Sequence, residues 1–409
     1  MTTCSDLADC EWLTGDEAGA ILAELADDKT PLHTAITRLR GRFTPAQTHL
    51  LLEQTELRRR ATAKFTQAHQ MFFTRIGLEQ ATDEWVAQYK ASRITSHSQR
   101  AAGFTPAVFA DLCCGIGGDL KALATNATAI GIDRDPIVAH FAAINTGAPI
   151  HTTDIATFDL NSATAFHIDP DRRPSGRRTT SLEWCEPNIA TIDGLLARAP
   201  NAAIKLAPAS EVPPDWSNCC ELEWISRDRE CRQLVAWHGN LALTPDHHRA
   251  TVLPIACHSV LSSSKGGLAP RTITGQPKQP IPIAAKPGHY VFDIDPAVLA
   301  AKLKGVLAAE HNLTALSAGS TYLTGDSAIT DPALACFAVE EVMPFRTDKL
   351  AKHLAAHNIG QLEIKKRGVD LNPEKLRRDL KLRGDNAATL LITPIGNRAT
   401  AILAHRVSP

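Results

Sequence analysis

The stretch "VFADLCCGIGGDLKALATNATAIGIDRDP", Val108 to Pro136, reads as a strand, a glycine-rich turn, a helix and a second strand. A dinucleotide turn favours G-x-G-x-x-G, in which the third glycine lets helix and strand pack closely. Here Gly115 and Gly117 fit, but Leu120 stands at the third position. The pattern that does fit is D-x-x-x-G-x-G, formed by Asp111, Gly115 and Gly117, with Gly118 following. Asp133 closes the next strand, eighteen residues after Gly115. A carboxylate there can accept both hydroxyls of a ribose. Asp154, in "HTTDIATF", stands where a third strand would end and can meet an exocyclic amine.

A pyrophosphate wants a helix N-terminus free of acids. This turn carries Asp111 and Asp119. The chemistry therefore suits a nucleoside ligand without phosphates. S-adenosylmethionine offers an adenosine for Asp133 and Asp154, and an amino-acid tail for the turn and Asp111. The alternatives are an NAD site and a turn that is only a tight connection.

Outward from this unit, apolar runs alternate with helices from about 104 to 256: "AVFADLCC", "ATAIGID", "AFHIDP", "AAIKLAP", "ELEWIS" and "ATVLPIA". Such alternation predicts a parallel sheet with helices on both faces. Residues 14 to about 95 read as helical. Thr14 is expected to cap "GDEAGAILAELA", and Thr44 to cap the next helix with Pro45 at its first position and Gln47 closing the box. Residues 262–288, rich in Ser, Gly and Pro, read as a loop. After it come a strand, a turn and a helix opening at Pro296, then a final α/β segment from about 336.

The chain has 409 residues, 44% apolar and 21% charged, with net charge −1. That is a multidomain globular protein, not a basic nucleic-acid coat. Ten cysteines include adjacent pairs but no C-x-x-C, so neither a zinc ribbon nor a disulfide framework is expected. The thiols read as free ones of a reducing cytoplasm, and no metal or membrane partner is expected.

The segment "FHIDPDRRPSGRR" (166–178) is the candidate reaction site. Amino-methyltransferases end this strand in Asp/Asn-Pro-Pro-aromatic, which orients an amine by accepting its N–H groups and stacks a ring on the base. Asp169 and Pro170 match; Asp171 and Arg172 depart. Either the acceptor is not an amine, or stacking passes to a residue such as Trp184. Arg172, Arg173, Arg177 and Arg178 can clamp phosphates or stack on a base, or can be a solvated loop paired with Glu183 and Glu186. Cys185 is the one cysteine placed for covalent C5-pyrimidine chemistry, and no second motif supports that role. His247 and His248 have no ligand spacing and are expected at the surface.

"DLCCGIGGD", "GIDRDP" and "IDPDRR" together resemble class I methyltransferases that modify RNA. The resemblance is to the bacterial group with a THUMP-like C-terminal domain and covers most of the chain. "MFFTRIGLEQATD" (71–83) is similar to that group's N-terminal signature, and "QLEIKKRGVDLNPEKLRRDLKLRG" (361–384) to its C-terminal one. The group tends to carry Asp-Pro-x-Arg-Arg at the reaction strand. The turn is also similar to that of cap trimethylguanosine synthases, whose aromatic–Ser/Thr segment closes over the cofactor. By that likeness Phe72, Phe73 and Thr74 would do so here, unless the two phenylalanines are helix-packing core.

The resemblance implies a Rossmann-like methyltransferase core with an N-terminal helical region (1–100), a core at 101–280, a small ferredoxin-like α+β segment (281–335) and a THUMP-like domain (336–409). It implies S-adenosylmethionine held by Asp111, Cys113, Gly115, Gly117, Gly118, Asp133, Asp154 and Thr74, with Asp169 and Pro170 catalytic. Arg172 and Arg173 would meet the substrate. RNA would be the partner, through a C-terminal span in which eight basic residues, including Lys365, Lys366 and Arg367, outnumber four acids. In that span "NPEKLRRDLKL" reads as a helix capped by Asn372, with Leu376, Leu380 and Leu382 inward and Lys375 and Arg378 outward. Two other functions remain open: an RNA-binding module without catalysis, and a small-molecule methyltransferase with a structural tail.

Overall fold

A computed structural model describes residues 6–27, 30–101, 107–172, 179–254 and 269–407. The chain divides into two units. The first comprises Met1–Glu221 and Leu234–Pro245, the second Leu222–Gln233 and Asp246–Pro409. In chain order the first unit carries helices α1 (Leu7–Leu13), α2 (Asp16–Ala26), α3 (Leu32–Arg40), α4 (Pro45–Ala61), α5 (Arg75–Gln80) and α6 (Glu84–Ala101). There follow β1 (Val108–Leu112), α7 (Gly118–Asn126), β2 (Thr128–Asp133), α8 (Pro136–Thr146), β3 (Ile150–Thr152), β4 (Ala165–Ile168), α9 (Ile189–Arg198), β5 (Ala202–Leu206) and α10 (Pro214–Ser217).

The strands stand in the order β3-β2-β1-β4-β5, all parallel. Next to β5 runs the Leu234–His238 half of a later strand, antiparallel to it. The strand order reverses between β1 and β4. Ligands of open α/β sheets bind at the carboxyl ends of the strands flanking such a reversal. Asp111 ends in register with His167 across this pair, so the glycine turn and Asp169 emerge side by side.

The amino-terminal helices pack Leu13, Leu22, Leu25, Leu51 and Phe72 into one cluster with Phe141 of α8. Thr44 forms the expected capping box with Gln47. Thr14 does not cap α2. The acidic N-terminus forms α1, which sequence pattern did not announce, and the Thr14 hydroxyl closes it by donating to the Cys10 carbonyl at 2.9 Å. Gly15 is then the N-cap of α2.

The second unit begins with β6 (Glu221–Arg227) and β7 (Glu230–His238), the strand whose end joins the first unit. It continues with β8 (His248–Leu253), β9 (Arg271–Gly275), β10 (Tyr290–Ile294), α11 (Pro296–Ala300), α12 (Lys304–Glu310), β11 (Thr314–Ala315), β12 (Tyr322–Gly325) and β13 (Leu334–Pro344). Last come α13 (Thr347–Ala356), β14 (Ile359–Lys366), α14 (Pro373–Leu380), β15 (Asn386–Ile395) and β16 (Arg398–Arg406). One sheet runs β11-β12-β10-β13-β16-β15-β14, antiparallel except for β14 with β15.

Several expectations change here. β6 and β8, read as core strands of the methyltransferase domain, lie in the second unit. A boundary at 335 would cut a sheet, because β13 pairs with β10 through Leu334–Ala338 and with β16 further on. The 262–288 stretch contains β9, paired with β8; its residues 262–268 lie outside the described residues. The helix opening at Pro296 is two helices. His248 is half-buried: its Nδ1 lies 2.7 Å from the Ala301 carbonyl and its ring 4.8 Å from that of Trp224.

Candidate functional site

The chain leaves β1 at Leu112 and turns through left-handed residues: Cys113 at φ 55°, Gly115 at 56° and Gly117 at 85°. A Cβ on Gly117 would come within 2.5 Å of Thr146 Cγ2. Gly117 thus serves both the positive φ and the close packing of α8. At Gly115 a Cβ would meet nothing within 4 Å, so this backbone faces open space. The turn is fastened to the end of β2: Gly115 N–H donates to Asp133 Oδ2 (2.9 Å) and Asp135 N–H to Asp133 Oδ1 (3.0 Å). Burial raises Asp133 above the ordinary carboxylate range against these two bonds. Each carboxylate oxygen keeps a lone pair for a ligand. The Cys113 and Cys114 thiols are pushed far up, first by burial and then by the neighbouring aspartates, so neither is a thiolate.

Two buried amides hold the segment that leads to Thr74. Asn145 and Gln54 each pair with one residue's backbone, at Phe72 (2.7 and 2.9 Å) and Phe73 (3.0 and 3.0 Å). Both phenylalanines are core: Phe72 stacks on Phe141 and Phe73 packs beside Phe65. They do not line the crevice, which corrects the expectation that they close over a cofactor. Thr74 does line it, and its hydroxyl caps α5 at Gly77 N–H (2.9 Å).

Beneath the turn lies a buried chain of polar groups that sequence reading missed in part. Asp111 Oδ1 lies 2.7 Å from His167 Nδ1, His167 Nε2 lies 3.0 Å from Lys90 Nζ, and Lys90 Nζ lies 2.7 Å from Asp119 Oδ1. Thr82 donates to Asp119 Oδ2 at 2.7 Å. With Lys90 donating to Nε2, the His167 proton belongs on Nδ1, toward Asp111. Burial lowers Lys90; it is also the largest single influence on Asp119 and would raise it, but Lys90, His167 and Lys205 together hold that carboxyl low. Burial raises Asp111, with His167 opposing, and Asp111 Oδ2 has no hydrogen-bond partner among the described residues. One signal for Lys90 was in the sequence. It stands four residues from both Val86 and Ile94, on the buried stripe of α6.

At the end of β4, Asp169 forms an ion pair with Lys205 of β5. Lys205 also donates to the Gln80 carbonyl (3.2 Å), and Gln80 Nε2 donates to Asp171 Oδ1 (2.9 Å). Asp171 exchanges two backbone bonds with Glu186, N–H to carbonyl at 2.7 and 2.9 Å. A proline at 171 could not donate the first of these. The departure from Pro-aromatic thus ties the turn Leu182–Trp184 to the reaction strand. Arg172 lines the crevice; Arg173, Arg177 and Arg178 lie outside the described residues. Cys185 is buried, its thiol raised by burial, and it donates to the Ser181 carbonyl (3.4 Å).

Asp111, Cys113, Gly115, Gly118, Asp133, Asp154, Asp169 and Pro170 thus converge on one crevice of about 740 Å³, while Gly117 shapes its turn from behind. Asp154 accepts Ala156 N–H at 2.8 Å on its rim. Carboxylates outnumber cations along this wall. With the unpartnered Asp111 Oδ2, that lining fits a cationic ligand bearing an ammonium or sulfonium group and opposes a pyrophosphate. Among the described residues no His/Cys/Asp/Glu group is arranged to hold a metal ion, and no helix is long and apolar enough to cross a membrane.

Three residues expected to meet RNA phosphates sit in the second unit. Lys365 Nζ lies 3.0 Å from Asp293 Oδ2, Arg367 Nη2 lies 3.3 Å from Oδ1, and Arg229 joins at 3.3 Å. Asp293 is 1% exposed. Lys365 and Arg367 therefore neutralise a buried carboxylate, a partner 72 and 74 positions away that no local pattern announces. Lys366 is exposed, as are Lys375, Arg377 and Arg378 on α14, while Leu376 and Leu380 are buried.

The chain is similar to known proteins along most of its length. Residues 334–406 match the THUMP domain-like family, and residues 6–61 match a domain of unknown function. An uncharacterised S-adenosylmethionine-dependent methyltransferase of Mycobacterium tuberculosis, found in two strains, is 31% identical over 360 residues. That match covers 85% of this chain and 92% of the relative. The crystal structure of a candidate methyltransferase from Porphyromonas gingivalis superposes with a TM-score of 0.72 at 21% identity, covering 96% of this chain and 98% of the other.

Proposed function

Because the chain belongs to the S-adenosylmethionine-dependent methyltransferases, we propose that it methylates a base of cytoplasmic RNA, transfer or ribosomal, by in-line transfer. Bound in the crevice, S-adenosylmethionine supplies an electrophilic methyl group on a sulfonium. Asp133 takes the ribose hydroxyls on its free lone pairs, and Asp154 meets the adenine edge. Asp111 offers Oδ2 to the ammonium, and the open backbone at Gly115, with Gly118 beside it on the crevice wall, takes the amino-acid tail. Asp169 and the Pro170 carbonyl accept N–H groups of the acceptor and orient its lone pair. Lys205 holds Asp169 in place through their ion pair. Such catalysis is positioning above all.

One observation carries this reading: Asp169, Pro170 and the glycine turn share one crevice at the reversal of strand order. RNA is supported by the THUMP domain-like match and by the exposed basic face of α14 with Lys366. A small-molecule acceptor is the second reading, favoured by the engagement of Lys365 and Arg367 with Asp293. The test compares methyl transfer to total RNA and to a metabolite extract, and nucleosides from cells with and without the protein by mass spectrometry. Label in metabolites alone would move the substrate away from RNA.

A further inference from the structure

Trp184 is 71% exposed and Ile76 58%, the two most exposed large apolar side chains among the described residues. Both line the crevice that holds Asp169 and Pro170. Standing on the crevice wall, they offer apolar surface that a bound ring would cover.

The segments that carry them are both tied to one residue. Asp171 carries the Leu182–Trp184 turn through its paired backbone bonds with Glu186. Glu186 is in turn held by an ion pair with Arg134. On the other side, the Asp171 carboxylate takes the amide of Gln80. Ile76 stands four residues before Gln80, on the same face of α5. Ile76 and Trp184 are thus set with respect to the residue that follows the reaction centre directly. The lining they share carries Glu79, Asp171, Glu183 and Glu186 against Arg134 and Arg172, an acidic excess that disfavours a phosphate. A planar ring with N–H donors is not disfavoured: its faces meet the indole and the aliphatic side chain, and its edge meets Asp169.

We infer that Trp184 and Ile76 form the jaws of an acceptor site for one nucleobase swung out of a single strand or loop, its ring stacked on Trp184 and its phosphates left outside the acidic crevice. The proposal rests on the RNA reading above and names how that substrate enters. A base turned out of its stack exposes its ring faces and its hydrogen-bonding edge together, which is what this crevice accepts.

The test measures label transfer from S-adenosylmethionine to RNA from cells lacking the protein, for wild type, Trp184→Ala, Trp184→Phe and Ile76→Ser. Calorimetric binding of S-adenosylmethionine runs beside it. Trp184→Ala is expected to lower kcat/KM by about tenfold or more, as loss of one base–aromatic stack does. Trp184→Phe should restore most of it, Ile76→Ser should fall between, and cofactor affinity should hold for all. Unchanged transfer by Trp184→Ala would overturn the proposal.

If wild type binds cofactor yet labels no RNA, the RNA reading fails. The jaws are then judged by titrating adenosine, guanosine, cytidine and uridine into the complex with S-adenosylhomocysteine. Quenching of the fluorescence that distinguishes wild type from Trp184→Phe would uphold a ring site. No quenching by any of the four would sink it.

Discussion

The side-chain amide of Asn145 pairs with the backbone of Phe72 as a neighbouring strand would, Oδ1 accepting N–H at 2.7 Å and Nδ2 donating to the carbonyl at 2.9 Å. Nδ2 also reaches the Ile116 carbonyl at 2.9 Å, so one buried amide joins the entry segment to the glycine turn. Asn145→Ala leaves buried backbone groups without partners and should cost about 2–4 kcal/mol of stability. S-adenosylmethionine affinity should fall with it, because the turn loses its brace. Thermal unfolding beside calorimetry checks both, and a stable variant with normal affinity would refute the brace.

Asp133→Ala removes the charged acceptor at the end of β2 and also frees Gly115 N–H. Cofactor binding should weaken by about 1.5–3 kcal/mol. Preserved affinity for S-adenosylmethionine, or tighter binding of NADH, would show that the crevice holds its ligand another way.

Asp169→Ala should abolish turnover while cofactor affinity changes little, if the carboxylate orients the acceptor as proposed. Cys185→Ser should stay active, because its buried thiol is not poised to ionise. A folded, cofactor-binding but inactive Cys185→Ser protein would point to covalent chemistry instead.

Lys365 and Arg367 pair with the buried Asp293 and are expected to serve fold stability. Replacing both with Ala leaves Asp293 buried beside Arg229 alone. The expected cost is about 1–3 kcal/mol, below that of a fully buried pair because both cations are partly exposed. RNA binding should respond instead to Lys366, Arg377 and Arg378. Each lost phosphate contact should reduce the log–log salt slope by roughly 0.7–0.9. A triple Ala variant with unchanged slope and affinity would take α14 out of the RNA interface.

His238 carries an acid-sensitivity of its own. Burial, partly opposed by Asp193, pushes its pKa from 6.5 down to about 4. Between these values the unfolded chain binds a proton that the folded one refuses, so stability is lost as pH falls from 6.5 toward 4. The full loss is about 3 kcal/mol. His238→Phe retains a ring against Trp216, 4.9 Å away in the native protein. Urea unfolding at pH 7 and pH 4.5 should show a smaller difference for this variant than for wild type. Equal differences would remove His238 as the cause.

Where backbone geometry and short-range chemistry fix a feature, it was legible in the sequence. Gly115 and Gly117 announced a tight turn, Asp133 the end of a strand, Thr44 and Asn372 the starts of helices, and each stands there. Asp111, Asp133, Asp154 and Asp169 were found because strand ends at one edge of a parallel sheet must meet. What the sequence did not disclose depends on groups far apart in the chain. His167 lies 77 positions from Lys90, and Lys205 lies 36 from Asp169. A buried cation must find its acid wherever packing brings one, and no local periodicity encodes which. For the same reason the basic run at 365–367 looked like an open surface until Asp293 occupied two of its charges. Asp171 looked like a defect in a motif until its N–H was seen to bind Glu186. Local sequence sets where the chain turns and which side chains stand at each end. The pairing of buried charges is decided by the tertiary fold, because the cost of leaving any of them alone is settled only once water has been excluded.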